Sequence, residues 1–293
     1  MQEENKSQEN INIPVPGHYV DAFLATKESL LKSDSTHARV MAKDFKGIEL
    51  SAIEHRLVMA IFGIYDETGY NPETFKKGIS LTSYELCKRM GYRQDRKGRF
   101  GGKTIKEALE ALINLTKKTF TIYYIRFKRK KRKKNIFDVI AFPNWPLLRI
   151  IYEASDVDEN GLLTGQVEER VSKIHIKIEP LFFNISYFRL FQNNFYLQLK
   201  ALLEKQSRRV SKYHWNFAIW CLKHKGRKKP IEINVDKLAI RLKIPCDPAH
   251  MTRARQKLRK LYSDFKRLEY LADYRIDIPA QNGKTKDIII LRG

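Results

Sequence analysis

Apolar and polar positions alternate along the chain in two ways, with a period near 3.6 in some segments and a period of two in others. Ile53, Leu57, Ala60, Ile61 and Ile64 recur at helical spacing behind Ser51-Ala52-Ile53-Glu54. That opening is a capping box, in which the Ser hydroxyl and the Glu carboxylate satisfy orphan amides reciprocally, and Gly69 stops the helix. Ile79-Ser80-Leu81 reads as a short strand, and Thr82 or Ser83 caps a helix over 84–90 that ends at Gly91. After a polar loop, Ile105, Ala108, Leu109, Leu112 and Leu115 mark the inner face of a third helix beginning near Lys103. The period then becomes two. Residues 120–127 are rich in aromatic and β-branched side chains, and 136–142 form the expected partner strand. Between them, eight of the nine residues at 126–134 are Lys or Arg.

The same order recurs downstream with little identity between the copies. Residues 179–206 and 212–224 read as aromatic-rich helices, 231–233 as a short strand and 235–242 as a helix. A long helix over 249–268 carries Met251, Ala254, Leu258, Leu261, Phe265 and Leu268 at spacings of three and four. A hairpin, 274–278 with 287–291, turns at Asn282-Gly283. Helix, strand, helix, turn, helix and hairpin is the order of a winged helix-turn-helix. The expected fold class is therefore α+β, with two tandem winged helix-turn-helix domains. Residues 1–45 form a partly disordered polar segment with a docking helix at 19–31. Residues 46–150 form the first domain, for dimerisation, DNA-backbone contact or both. Residues 151–293 form the second and main DNA-reading domain, joined across 153–170.

Charge narrows the partner. The 293 residues hold 56 Lys and Arg against 33 Asp and Glu, a net +23. The first 49 carry 6 basic and 8 acidic residues, so the excess lies wholly in the remainder. Such a field favours polyanions, nucleic acid first. Apolar runs such as 215–222 fall well short of the ~20 residues of a spanning helix, and the polar, acidic start is no signal peptide. Cys87, Cys221 and Cys246 match neither a zinc pattern nor a disulfide framework. The expectation is a cytoplasmic protein with no membrane partner, no cofactor and no metal.

In a helix-turn-helix the second helix enters the major groove. On the helix over 249–268 the apolar stripe leaves Thr252, Arg253, Arg255, Gln256, Arg259 and Lys260 outside. Arg bonds guanine and Gln bonds adenine in a bidentate way. Arg253, Gln256 and Arg259 or Lys260 are thus the candidates for base edges, with Arg255 and Lys257 nearer phosphate. In the first domain the loop residues Arg93, Arg96, Lys97 and Arg99, with Lys103 and Lys106 of its third helix, suit phosphate contact; Glu107 and Glu110 oppose deep insertion there. The basic tip, Arg129, Lys130, Lys131, Arg132, Lys133 and Lys134, is expected to be a wing on the minor groove or phosphates.

Several catalytic patterns fail on spacing. Gly98 leaves three residues, not four, before Gly102-Lys103-Thr104, so a Walker loop is not formed. Asp156-Val157-Asp158-Glu159-Asn160-Gly161 opens like a calcium loop, but its twelfth position is Val167. His250-Met251-Thr252-Arg253 resembles a recombinase box, yet Tyr262 follows too soon and sits beside the core stripe. His175-Ile176-Lys177 lacks the second His of a nickase. The aromatics Phe182, Phe183, Tyr187, Phe188, Phe191, Phe195 and Tyr196, like Trp215, Phe217 and Trp220, read as core. The expectation is a binding protein rather than an enzyme.

Over roughly 47–290 the chain resembles the iteron-binding plasmid replication initiators. The resemblance rests on the opening helix at 50–68, on Ile79-Ser80-Leu81, on Phe195-Tyr196-Leu197-Gln198-Leu199-Lys200-Ala201-Leu202-Leu203, and on 233–242 followed by 253–268. It implies monomers binding direct repeats at a replication origin, homodimers formed through the first domain that repress their own gene, and a host initiator, helicase and chaperones as partners. A tandem winged-helix transcription regulator is the alternative, and a DNA nickase or recombinase a further one.

Overall fold

A computed structural model describes residues 12–16, 20, 38–42, 49–68, 77–131, 134–146, 148–154, 171–178, 188–192, 194–227, 229–279 and 285–292. The fold is α+β, with helices packed on small antiparallel sheets. The first unit runs α1 (Ala52–Glu67), β3 (Ile79–Leu81), α2 (Ser83–Arg89), α3 (Gly102–Thr116), β6 (Leu148–Ala154) and β7 (Val171–Ile178). The second runs α4 (Phe195–Glu204), α5 (Lys212–His224), β9 (Ile231–Asn234), α6 (Val235–Arg241), α7 (Met251–Arg267), β10 (Leu271–Pro279) and β11 (Thr285–Leu291). From α1 and from α5 onward the order is the same, and so is the sheet. The last strand lies between the other two in each, as β3-β7-β6 and as β9-β11-β10.

Local sequence explains the helix ends. Ser51 Oγ accepts from the Glu54 amide at 3.2 Å while Glu54 accepts from the Ser51 amide at 2.6 Å. Thr82 and Glu85 repeat the device ahead of α2. The short helix of each unit ends in a left-handed turn. Gly91 (φ +68) follows α2 and Lys243 (φ +58) follows α6. In both, the amide of the following residue reaches back to the last turn of the helix, Tyr92 to the Cys87 carbonyl at 3.1 Å and Ile244 to that of Ala239 at 2.9 Å. This is the Schellman arrangement, which Gly enters without strain and Lys only with support from its surroundings.

The apolar faces of these elements form one core. Tyr65, Phe62, Phe195, Trp215, Phe217, Trp220, Tyr262 and Phe265 are its largest fully buried side chains. Phe195, Phe217, Trp215 and Trp220 thus pack as core, as their spacing predicts. Among the described residues, no helix is long and apolar enough to cross a membrane.

Four features differ from expectation. First, β1 (Asn12–Pro16) and β2 (Ala38–Ala42) are strands within 1–45, where the sequence shows only a polar segment. Each is held by a distant partner, β1 by β8 (Phe188–Gln192) and β2 by β4 (Thr119–Lys131). Second, 179–206 is not one helix. Strand β8 precedes α4, so Phe188 and Phe191 lie on a strand. Third, the basic hairpin forms as β4 and β5 (Lys134–Pro146), but it pairs with β2 and not with β3. The partner of β3 is β7, and β6 pairs with β7. The basic ribbon is therefore an insertion between α3 and β6, in a different sheet from β3. Fourth, the sheet of β3 runs across the expected division at 150/151, because β6 spans it and pairs with β7, on which buried Ile174, Ile176 and Ile178 alternate with exposed Lys173 and Lys177. The docking helix at 19–31 (Val20 apart), the calcium-like turn at 156–167, Phe182, Phe183, Tyr187 and the Asn282-Gly283 turn lie outside the described residues.

Candidate nucleic-acid interface

The long helix α7 presents one apolar face inward and one basic face outward. Ala254, Leu258, Leu261 and Phe265 are buried, and Met251 and Leu268 pack at the core's margin. Thr252, Arg253, Gln256, Lys257, Arg259 and Lys260 are exposed, whereas Arg255 is half-buried. A turn led by Asp247 precedes the helix; its carboxylate meets His250 Nδ1 at 2.7 Å. That hydrogen bond holds the Asp247 carboxyl below the ordinary carboxylate value.

The basic residues of α7 divide into engaged and uncommitted. Arg259 pairs with Asp277 of β10. Arg255 donates to Thr285 Oγ1 at 3.3 Å and stands 4.0 Å from Asp277. Lys257 lies over the Tyr213 ring at 4.5 Å. The side chains of Arg253, Gln256 and Lys260 have no hydrogen bond, ion pair or ring contact among the described residues. The uncommitted three are spaced three and four apart, on one face. They offer a donor fork, an amide and an ammonium to solvent at no cost of breaking an existing pair.

The α7 face is held by polar residues that a hydrophobic pattern does not mark. Asp264, on the buried side, accepts from Arg208 at 2.9 and 2.7 Å and from His214 Nε2 at 3.4 Å. Asp287 accepts from the Tyr262 hydroxyl at 2.7 Å and from the Asp277 amide at 3.0 Å. Burial pushes the Asp287 carboxyl above its ordinary value despite those two bonds. Through Asp277, this group ties β10 to the guanidiniums of Arg255 and Arg259. The recoverable signal is Asp264 standing between Leu261 and Phe265 on the core face of an otherwise amphipathic helix.

In the first unit the loop before α3 is ordered. The Asp95 carboxylate accepts from the Lys97 and Arg99 amides at 2.8 Å each, and the Tyr84 hydroxyl donates to the Gly98 carbonyl at 2.9 Å. Phe100 anchors the loop in the core. Arg93, Arg96, Lys97 and Arg99 are all exposed, with Arg99 3.6 Å from Asp95. Lys103, Lys106 and Glu110 are exposed on α3, while Glu107 is half-buried. Arg129, Lys130, Lys131 and Lys134 end the paired strands β4 and β5, with Lys131 opposite Lys134; Arg132 and Lys133 lie outside the described residues. The structure thus gathers the predicted residues into three sets, on α7, on the loop and start of α3, and at the end of the ribbon.

Two side chains of the near-catalytic patterns have partners within the fold. Tyr262 is buried against Asp287, and burial raises its phenol far above the ordinary range. His175 Nδ1 lies 2.6 Å from Ser80 Oγ across β3 and β7.

No protein-family model matches the chain, and no curated protein matches it in sequence. Among solved structures, one of domains 2 and 3 of RctB is 10% identical, aligns over 95% of this chain and 99% of its own, and has a TM-score of 0.46. A second structure of the same RctB domains is 11% identical over 94% of this chain and 97% of its own, with a TM-score of 0.47.

Proposed function

We propose that this protein binds duplex DNA sequence-specifically and without catalysis, as a plasmid replication initiator reading direct repeats at an origin through two tandem winged helix-turn-helix domains. The observation that carries the reading is α7. It is a helix after a helix and a turn, with Arg253, Gln256 and Lys260 exposed and uncommitted on one face while neighbouring cations are tied back to β10. Arg253 and Gln256 read bases, and Arg255, Lys257, Arg259 and Lys260 steer phosphate or flank the site. The first domain adds backbone contacts through Arg93, Arg96, Lys97, Arg99, Lys103 and Lys106, and the net charge of +23 supplies the long-range attraction. The initiator role itself rests on the resemblance to the iteron-binding family, as do homodimers and host replication proteins as partners.

Footprinting on the DNA around its own gene tests the reading. Protection of an array of direct repeats supports the initiator; a single palindrome would make the protein a transcription regulator instead. Arg253→Ala and Gln256→Ala should each cost about 1–3 kcal/mol of discrimination at one base position while leaving non-specific binding in place. Unchanged base preference in both variants would remove α7 as the reader. A covalent tyrosyl–DNA adduct formed with Mg²⁺ or Mn²⁺ would overturn the non-catalytic assignment.

A further inference from the structure

The two units meet in a buried polar junction built on equivalent positions of α1 and α5. Each helix opens on a serine-led box, Ser51 with Glu54 and Ser211 with His214. Two residues beyond come Arg56 and Asn216. Arg56 donates to the Met90 carbonyl, at the end of α2. Asn216 Nδ2 donates to the Leu242 carbonyl at 2.7 Å, at the end of α6. Those two carbonyls stand where the chain turns toward α3 and α7. The residues just before, His55 and Trp215, stack on each other with centroids 5.8 Å apart and planes at 13°.

Each of these two side chains takes its other contact from the opposite unit. Asn216 has its amide group committed to Leu242, so its Oδ1 accepts from His55 Nε2, 3.1 Å away. Arg56 donates to the Tyr196 hydroxyl of α4 at 3.1 Å. Its guanidinium lies between the Tyr92 and Tyr196 rings, 3.9 and 4.0 Å from their centroids. Tyr92 belongs to the turn that ends α2. His55, Arg56 and Asn216 are all buried, and burial pushes the His55 imidazole down to about 3, so it stays neutral. At the outer edge Lys212 pairs with Glu49, whose carbonyl accepts from Lys118 Nζ at 3.0 Å.

Buried donors and acceptors left unmade cost roughly tenfold or more in population each. A slide of α1 along α5 by a fraction of a turn breaks the His55–Asn216 and Arg56–Tyr196 bonds together and leaves those buried groups unpaired. One relative placement therefore satisfies the whole set. We propose that this junction sets a single separation and angle between α3 and α7, with His55, Arg56, Tyr196 and Asn216 as positioning residues that select the spacing between two DNA half-sites. The half-sites rest on the DNA-binding function proposed above; the fixed geometry does not.

The test uses full-length protein and duplexes in which one to six base pairs are inserted between the two halves of its footprint. The natural protein should lose about tenfold or more in affinity at each altered spacing. Asn216→Leu, which keeps the branched shape and removes both bonds, and Tyr196→Phe, which removes one hydroxyl, should flatten that profile to within about threefold. Profiles parallel to the natural one would overturn the junction's role; should Asn216→Leu fail to fold by circular dichroism, Tyr196→Phe decides. Spin labels at Lys106→Cys and Lys260→Cys in a Cys246→Ser background give a reading without DNA. One narrow distance that broadens in Asn216→Leu or Tyr196→Phe supports the proposal, and equal widths sink it. If the natural protein bound no duplex, the DNA reading would fail while the label distances still judged the junction.

Discussion

Replacing Asp264 by Ala removes the polar post on which α7 stands. The carboxylate is 2% exposed and accepts three hydrogen bonds, two from Arg208 and one from His214. Because His214 Nδ1 accepts from the Ser211 amide at 3.0 Å, Nε2 carries the proton aimed at Asp264. Removing one partner of a buried pair costs about 3–5 kcal/mol. Arg208 keeps 30% of its side chain exposed and can turn to water, but His214 at 6% cannot. The expected loss is therefore about 2–4 kcal/mol. For a unit near 100 residues that is a fall in Tm of about 10–25 °C, read by calorimetry at neutral pH. Burial raises the Asp264 carboxyl, but the bonds from His214 and Arg208 outweigh it and hold the group below its ordinary value. A lowered folded value means the stabilisation is complete above the ordinary carboxylate range and is lost as pH falls through the lower one. The gap between natural protein and Asp264→Ala should then narrow below about pH 4. A Tm within about 3 °C of the natural protein at neutral pH, or a gap that does not narrow in acid, would refute this account.

Two further outcomes follow from the charge distribution. Neutralising Lys130, Lys131, Arg132, Lys133 and Lys134 together should weaken binding to all duplexes alike and reduce the salt slope by about 0.9 for each phosphate no longer neutralised; an unchanged slope in a titration of binding against salt would take the ribbon off the phosphates. Asp287 bears the opposite linkage to Asp264. Burial raises its folded value, so its contribution is present below the ordinary carboxylate range and is lost as pH rises through the raised value. Asp287→Asn should therefore gain in Tm relative to the natural protein as pH rises above the ordinary carboxylate range, and a difference constant with pH would show that the buried carboxylate carries no such penalty.

What the sequence made legible was set by local physics. The Ser51 box, the Thr82 cap and the stripe Ala254–Leu258–Leu261–Phe265 are decided within a few residues, and each appears where expected. The misread elements depend on distant partners. Strands β1 and β2 are short and polar-flanked, and pairing with β8 and β4, far along the chain, defines them. In residues 188–196 the aromatics Phe188, Phe191, Phe195 and Tyr196 stand at helical spacing although β8 is a strand, which hid the break between β8 and α4. Strand β7 alternates plainly, but the β4–β5 hairpin offered a nearer wing and matched the expected order. On α7 the outer face was legible, whereas the pairing of Arg255 and Arg259 with Asp277 was not, because nothing local specifies which strand residue a long cation will meet.

The ribbon inserted after α3 also bears on the order of folding. In the first unit Ile79 must find Ile176, 97 positions along the chain, before its sheet exists; in the second, Ile233 finds Asp287 after 54. Longer closure costs more entropy and slows the search. The carboxyl-terminal unit therefore has the shorter route to a native sheet, although it is synthesised last. During translation β3 has no partner strand until Ile176 has left the ribosome, so the sheet of the amino-terminal unit closes only after the whole ribbon has been made.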